Sequence, residues 1–467
     1  MFRWTVAPLR LLALISPMVA LSLPATAQNA LSQQAPMDLS EAYELALEQD
    51  PRLRAAQDRQ RATEQLRPQA RALFLPEINL EGEAGRNWEE TDGGIAALTG
   101  EQQELYYNQW SAGIALTQPL FRMESFALRE QARIIEDQSG LQFGQAMQDL
   151  VLRVSQAYFD VLLAQDTVST VDAELAAIDT ELRRARRALE VGTGTITDVN
   201  DAQARYDLVQ AQRLRAQNQL QIAREQLRRL IGRPAGELAG LREDFVAQSP
   251  SPSDPDVWAE RAERYNLDVQ LAELQLALSR EDIRQQRAGH APRVDMVARY
   301  GRGYQSDSFG PGGSTDSEQA SIGVRLQVPL FAGGGTQARV REAEANRDAS
   351  FQDTLDARRQ AGLQAESAYL NLVSNLQQIR ALEQALRSIV STEQSTQRGL
   401  EVGVRTTLDL LNVQRERFET ERQLAEARYN YLLNYLQLQV AVGSGLDGAG
   451  IEDVNFFLAG DEVPSGE

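Results

Sequence analysis

The sequence contains no cysteine, no lysine and one histidine, His290, so all 47 of its basic residues are arginine. Each absence removes a class of chemistry. Without cysteine there is no disulfide, no thiolate nucleophile, no zinc–thiolate cluster and no lipidated cysteine behind a leader. Without lysine there is neither a P-loop lysine nor a Schiff base. One histidine leaves a Ser-His-Asp triad or a poly-histidine metal site without its parts, so catalysis, a cofactor and a metal are not expected. Positive charge is scarce too. Against 66 acidic residues it leaves a net charge of −19, the wrong sign for binding nucleic acid.

Long apolar runs are also missing. The one short run, Leu11 to Leu23, is broken by Ser16, Pro17 and Ser22; it follows Arg3 and Arg10 and precedes Ala25-Thr26-Ala27. That layout reads as a secretory signal peptide over residues 1–27, too short and too interrupted to span a bilayer. Removing it takes away two arginines and leaves a chain from Gln28 with a charge of −21. No later stretch approaches the ~20 apolar residues of a membrane helix, so any membrane contact is made another way.

What is present is repetition. Leu116-Thr117-Gln118-Pro119-Leu120-Phe121 returns as Leu326-Gln327-Val328-Pro329-Leu330-Phe331. Leu189-Glu190-Val191-Gly192 returns as Leu400-Glu401-Val402-Gly403, and the Thr195/Asp198 pair as Thr406/Asp409. Leu75-Pro76 and Ala291-Pro292 open matching segments. Matches in one order at nearly one offset indicate a tandem duplication. The first unit covers 28–231, with strands over 76–88 and 109–120, a long helix over 123–190 and a helix over 198–231. The second covers 255–441, with strands over 292–304 and 318–330, a long helix over 337–401 and a helix over 407–441. Each unit begins with a helical stretch, Leu39 to Arg71 with a break at Pro51, and Pro255 to Ala288. Residues 232–254, rich in Gly, Pro and Ser, form the connector, and 442–467 a C-terminal tail.

Each long helix would run ~100 Å, more than a globular domain needs. Val154, Ala157, Val161, Ala164, Val168, Val171, Leu175, Ile178, Leu182, Ala185 and Leu189 hold an unbroken alternation of three and four. The partner helix shows the same rhythm from Val199 to Leu230 with one lapse at Arg213, and Ile379, Leu382, Leu386 and Ile389 form the corresponding seam of the second unit. A 3.5-residue period means a left-handed coiled coil, and the short Gly turn folds each pair into an antiparallel hairpin.

The four predicted strands alternate apolar with polar or small residues: Ile78, Leu80, Gly82 and Ala84 against Asn79, Glu81, Glu83 and Gly85, and Ile322, Val324, Leu326 and Val328 against Ser321, Gly323, Arg325 and Gln327. They are long enough to cross a membrane when tilted. Trp88, Tyr106, Tyr107, Trp110, Tyr300 and Tyr304 cluster toward one end as an interfacial girdle would. The polar loops Glu89 to Asn108 and Gln305 to Ser317, the second with Gly310-Pro311-Gly312-Gly313, join them. A half-buried sheet in a soluble domain has the same alternation; the export signal favours the membrane. Four strands cannot close a membrane barrel, so the barrel is shared among subunits. Gly333-Gly334-Gly335 is read as a helix-entry turn, and His290 as a connector residue.

The two hairpins of strands, the paired long helices and the duplication resemble the TolC family of outer-membrane channel-tunnels over nearly all of the chain beyond the leader. The resemblance rests on the Pro-Leu-Phe junctions at Pro119 and Pro329, the Val-Gly-x-x-Thr-x-x-Asp turns at Val191 to Asp198 and Val402 to Asp409, and the closing-helix stretch Ala425 to Leu432. It implies an α+β membrane protein: a homotrimer whose twelve strands, four per protomer, form one barrel in outer-membrane lipid, continuous with a helical barrel crossing the periplasm of a Gram-negative bacterium. The connector would lie in the equatorial region of that barrel. It implies a passive exit duct for drugs, small molecules or proteins, working with a periplasmic adaptor and an inner-membrane pump of the RND or ABC type, in efflux or type I secretion. It also implies an entrance lock in which Thr197 and Asp198 face Arg405. Leu400 stands where the family has a gate tyrosine, so that residue's hydrogen bond is missing from the lock. Asp409 takes the place of one entrance acid, and Asn412 leaves the second ring neutral. Two other readings are a periplasmic adaptor, which would show one hairpin between β-rich halves, and a structural coiled coil of the envelope.

Overall fold

The computed structural model describes residues 36–91, 103–242, 244–306, 313–444 and 449–458. The signal-peptide expectation, the Gly310–Gly312 loop run and the last nine residues of the tail lie outside the described residues. Ten helices and four strands are formed among those described. In chain order they are α1 (Leu39–Gln49), α2 (Pro51–Glu64), α3 (Leu66–Ala72), β1 (Glu77–Thr91), β2 (Gln103–Arg122), α4 (Met123–Glu190), α5 (Ile196–Ile231), α6 (Pro255–Tyr265), α7 (Leu267–Ala288), β3 (Arg293–Ser306), β4 (Ser314–Gln327), α8 (Gly335–Glu401), α9 (Thr407–Ala441) and α10 (Ala449–Asn455).

The strands form one antiparallel sheet in sequence order, with β1 and β4 left as open edges. In register, Ile78 opposes Leu116, Leu80 opposes Ile114, Tyr300 opposes Ala320 and Ala298 opposes Ile322. The even-numbered positions therefore share one face. That face is apolar and uncovered: Leu80 is 80% exposed and Ile322 77%. No described element packs on it. Trp88, Tyr106, Trp110, Tyr300 and Tyr304 lie on this face, whereas Tyr107 pairs with Asn87 on the other. Tyr107 thus leaves the expected girdle, because one residue's step along a strand reverses the side chain.

The strands overrun their expected ends on the loop side. The β1–β2 ladder continues to the Thr91–Gln103 pair, and β3–β4 to Ser306–Ser314. Backbone pairing persists after the apolar alternation has stopped. At the other end β4 stops at Gln327, before Pro329, while β2 passes Pro119 only through a register shift between Pro119 and Phe121. Proline cannot donate to a ladder, so a strand containing one ends or bulges.

The first helical stretch breaks at Pro51 as expected, with Asp50 capping α2 by accepting from Leu53 N at 2.8 Å, and breaks a second time, unexpectedly, at Gln65. The second breaks at Asn266, whose side chain accepts from Asp268 N at 2.8 Å and donates to Ala441 O at 2.9 Å. Helix α5 starts at Ile196, two residues earlier than its apolar pattern, because Thr195 caps it. Helix α8 starts at Gly335, after Gly334 in the left-handed region at φ 82°.

The main core lies midway along the helices. Leu150, Val154, Tyr158 and Val161 of α4 meet Leu227 and Ile231 of α5, Leu372 and Leu376 of α8, and Leu432 and Leu436 of α9. The connector joins this core. Its Leu238 bridges Met37 and its Leu241 bridges Leu458, while the Tyr158 hydroxyl lies 2.9 Å from Met37 O and 2.8 Å from Ala239 O. Ile451, Val454 and Leu458, within the expected tail, are buried here too. No described helix is long and apolar enough to cross a membrane.

Candidate functional site

The two helical hairpins end in turns whose backbone hydrogen bonds correspond one for one at an offset of 211. In the first, Val191 N donates to Arg187 O, Gly192 N to Leu189 O, and both Thr193 N and Gly194 N to Ala188 O. In the second, Val402 N donates to Arg398 O, Gly403 N to Leu400 O, and both Val404 N and Arg405 N to Gly399 O. Gly192 and Gly403 each sit at φ 79°, the left-handed conformation that ends a helix and that glycine adopts without strain.

After each turn comes a capping box. Thr195 Oγ1 accepts from Asp198 N at 3.1 Å and Asp198 Oδ2 accepts from Thr195 N at 3.1 Å; the corresponding distances for Thr406 and Asp409 are 3.1 and 3.0 Å. The Thr-x-x-Asp of the motif is therefore first a device for starting a helix sharply after the turn. These bonds from Thr406 hold the Asp409 carboxyl below the usual aspartate range, with a further contribution from the Arg405 charge. Asp409 is half-buried and Asn412, three residues on, is exposed.

Arg405, Thr197 and Asp198 do not meet within the protomer. Among the described residues Arg405 forms no ion pair or hydrogen bond with either; Asp198 is engaged by Thr195, and Arg405 and Thr197 are exposed. The Arg405 stem instead lies across Gly399. A Cβ built on Gly399 would stand 2.7 Å from Arg405 Cγ and 3.4 Å from its Cβ. The first hairpin inverts this pair. There Gly194 holds the Arg405 position, and a Cβ on it would stand 2.9 Å from Ala188 Cβ, the residue in the Gly399 position. Only one member of each pair can carry a side chain. The glycine at 399 is what lets the second turn carry an arginine at 405.

The hairpins pack together above these turns. Leu411 of α9 enters the small core formed by Val171, Ile178 and Leu182 of α4 with Ala202 and Val209 of α5. Further along, Glu174 of α4 is 1% exposed and takes two arginines, Arg205 of α5 at 2.9 Å and Arg422 of α9 at 3.4 Å. Arg422 also reaches Glu419 at 2.5 Å. Tyr429 of α9 donates to Asp166 of α4 at 2.7 Å. Burial pushes the Glu181 carboxyl above its usual range, with Arg184 opposing, and neither Glu181 Oε2 nor Gln414 Oε1 has a hydrogen-bond partner. The contacts between hairpins thus combine an apolar core with buried polar groups, some of them unsatisfied. Sequence reasoning missed Glu174, Arg205, Arg422 and Gly399. A charge flanking a heptad seam is ordinary, and Gly399 draws notice only once the two turns are aligned on Ala188.

The hairpin tips expose apolar residues: Val191 and Val402 are each 74% exposed and Val404 75%. No group of three or more potential metal-ligating residues occurs among the described residues.

The family model for outer membrane efflux proteins matches residues 42–233 and 258–444, one match to each repeat. The outer membrane protein TolC of Vibrio cholerae is 33% identical over 90% of this chain and 94% of its own length. The alkaline protease secretion protein AprF of Pseudomonas aeruginosa is 30% identical over 92% of this chain and 89% of its own. Among solved structures, the outer-membrane channel OprN superposes with a TM-score of 0.73 at 20% identity, covering 91% of this chain and 96% of that one. The Campylobacter jejuni CmeC outer membrane channel gives 0.73 at 15% identity, with 95% and 97% covered. The fold is therefore that of the channel-tunnels, with four strands per protomer contributed to a shared barrel that continues into long helices. The chain belongs to the family of outer membrane efflux proteins.

Proposed function

We propose that this chain is the outer-membrane exit duct of a tripartite efflux pump or type I secretion system, passing drugs, small molecules or proteins from an inner-membrane translocase to the outside. The observation that carries this is the union, in one protomer, of a sheet with an uncovered apolar face and two helical hairpins, the long arm of each about 100 Å. The relatives carry both secretion and efflux in their names, and the duct serves either. An adaptor does not fit a chain with two hairpins and a four-stranded lipid-facing sheet. The exposed valines at the tips are the surface offered to a periplasmic adaptor, and the pump behind it is of the RND or ABC type. Outer-membrane fractionation tests this reading: a heat-resistant trimer in the detergent extract supports it, and a soluble periplasmic monomer overturns it.

The sheet gives a paired test. Val324 lies on the apolar face opposite Met296, and Gln319 on the other face opposite Gly301. Val324→Arg is expected to lower the yield of inserted trimer, at a cost of about 2–4 kcal/mol near the midplane. Gln319→Arg faces the lumen and is expected to insert like the parent. Equal insertion of the two would reverse the face assignment.

Closure is assigned to the hairpin turns. Arg405 of one protomer bridges to Thr197 and Asp198 of the next coiled coil, and three copies of Asp409 form an acidic ring at the mouth. Because the Thr406 bonds lower the Asp409 pKa, the ring keeps its charge as pH falls through the ordinary aspartate range and loses it only below. Cation preference in planar bilayers is expected to persist to that lower pH and to vanish in Asp409→Asn at any pH. Unchanged selectivity in Asp409→Asn would remove the ring.

A further inference from the structure

A groove at the strand-to-helix junction has no part in the duct. Helix α3 climbs toward β1 and α4 descends from β2. Between them Arg67, Arg71, Arg129 and Arg133 line an open groove of about 420 Å³ together with Phe126 and Glu130. Phe126, 55% exposed, closes its membrane side, edge-on to Phe74 with ring centroids 5.1 Å apart.

Four arginines in one groove stand out in a chain with 66 acids against 47 bases, and their pairing is graded along the helices. The two further from the sheet are neutralised: Arg67 by Glu136 at 2.5 Å, and Arg133 by Glu130 at 2.7 Å and Asp137 at 3.0 Å. The two nearest the sheet, Arg71 and Arg129, are exposed and have no ion pair or side-chain hydrogen bond among the described residues. The unpaired positive charge is thus concentrated at the membrane end.

The groove faces lipid. Beyond the shift at Pro119, Arg122 lies on the polar face of the sheet, donating to Asp295 at 2.9 Å, and Arg293 on that face holds Glu124 at 3.0 Å. Glu124 therefore marks the lumen side of α4. At 3.6 residues per turn, Phe126, Arg129 and Arg133 sit about 140–200° around the helix from it, on the outward side. The groove lies beneath the β1–β2 pair, between α3 and α4 of one protomer. Arg129 is about 9 Å below the start of α4. Helical side chains lean toward the N-terminus, which on α4 is the membrane end. That places the guanidinium in the headgroup layer under the Ile78–Leu116 pair of the apolar band.

We infer that this groove binds the headgroup of an anionic phospholipid in the periplasmic leaflet. The phosphate sits between Arg71 and Arg129, whose planar forks suit its oxygens, and an acyl chain lies along Phe126. Phosphate is the recognised chemistry, and a free ion could supply it as well as a lipid. Native mass spectrometry of the detergent-solubilised trimer, equilibrated with phosphatidylglycerol or phosphatidylcholine, separates the cases. Retention of phosphatidylglycerol on the parent, up to one per protomer, is expected at about tenfold over phosphatidylcholine. Arg71→Ser with Arg129→Ser is expected to abolish that preference in a trimer that keeps its heat resistance. Arg183→Ser with Arg187→Ser, at the far end of α4, is expected to leave it intact. If the serine pair fails to assemble, Arg71→Lys with Arg129→Lys keeps the charge and loses the forks, and is expected to weaken retention. Equal retention of both lipids, or parent-like preference in whichever pair assembles, overturns the inference. Displacement of the lipid by millimolar inorganic phosphate overturns it in favour of a free-anion site.

Discussion

Arg405→Ser is expected to open the duct. In the parent the arginine side chain is exposed at the hairpin tip and makes no ion pair or hydrogen bond among the described residues, so the proposed lock has it reach the neighbouring coiled coil. Even at about 1 kcal/mol per contact, the upper end for an exposed pair, three concerted losses shift the closed-to-open ratio by about 100-fold. Single-channel conductance in planar bilayers should rise several-fold in Arg405→Ser, and the lock is wrong if it conducts like the parent. Gly399→Ala should act in the same direction without touching the guanidinium, because its new methyl takes the space of the Arg405 stem. In an Arg405→Ser background the alanine should add little further opening. The exchange Gly399→Ala with Arg405→Gly rebuilds the Ala188/Gly194 arrangement of the first hairpin, so it should fold normally and still conduct. If Arg405→Ser opens the channel and Gly399→Ala does not, the lock stands and only the seat of the arginine is misassigned.

The repeat and the hairpins were legible because their signals are periodic. A 3.5-residue seam and a two-residue alternation each survive a lapse, and the structure explains the one in the seam. Arg213 leaves the apolar rhythm to donate to Asp172 across the hairpin at 2.5 Å. The Pro51 break was legible from its proline, but those at Gln65 and Asn266 were not, because no proline marks either. Asn266 ends α6 and starts α7 with two side-chain hydrogen bonds and no proline to announce it. The strand ends were misplaced because backbone pairing needs no apolar side chain. At the entrance the Thr-x-x-Asp motif was visible, but its first task is the capping box, a local role that the position of the motif does not reveal. Contacts between hairpins were invisible. They join residues such as Glu174 and Arg422, 248 positions apart, and no local pattern marks either.

Glu174→Ala is expected to be the most destabilising single substitution in the helical hairpins. The carboxylate is 1% exposed, and its arginines are mostly covered, Arg205 at 17% and Arg422 at 20%. Removing one member of a buried ion pair strands the other charge and typically costs about 3–5 kcal/mol. The two arginines are not equally stranded. Arg422 keeps Glu419 at 2.5 Å, whereas Arg205 has no second acid partner among the described residues. The loss should therefore fall mainly on the α4–α5 hairpin, seen as a lower temperature for losing helical circular dichroism and earlier proteolysis near Arg205. Arg422→Ser is the informative contrast. It leaves Glu174 with Arg205 at 2.9 Å and removes the 3.4 Å contact that crosses to α9, together with the local Arg422–Glu419 pair within α9. Its thermal cost should be small, since Leu432 and Leu436 in the main core, Leu411 and the Tyr429–Asp166 bond still hold α9 against the first hairpin, but the charged tie between α9 and α4 is lost. Arg422→Ser should thus raise conductance more than it lowers stability, and Glu174→Ala should do both. If Arg422→Ser lowers stability as much as Glu174→Ala, the triad is one structural unit rather than a fold contact joined to a movable one. If neither variant differs from the parent, the Glu174 contacts with Arg205 and Arg422 contribute nothing to stability or closure.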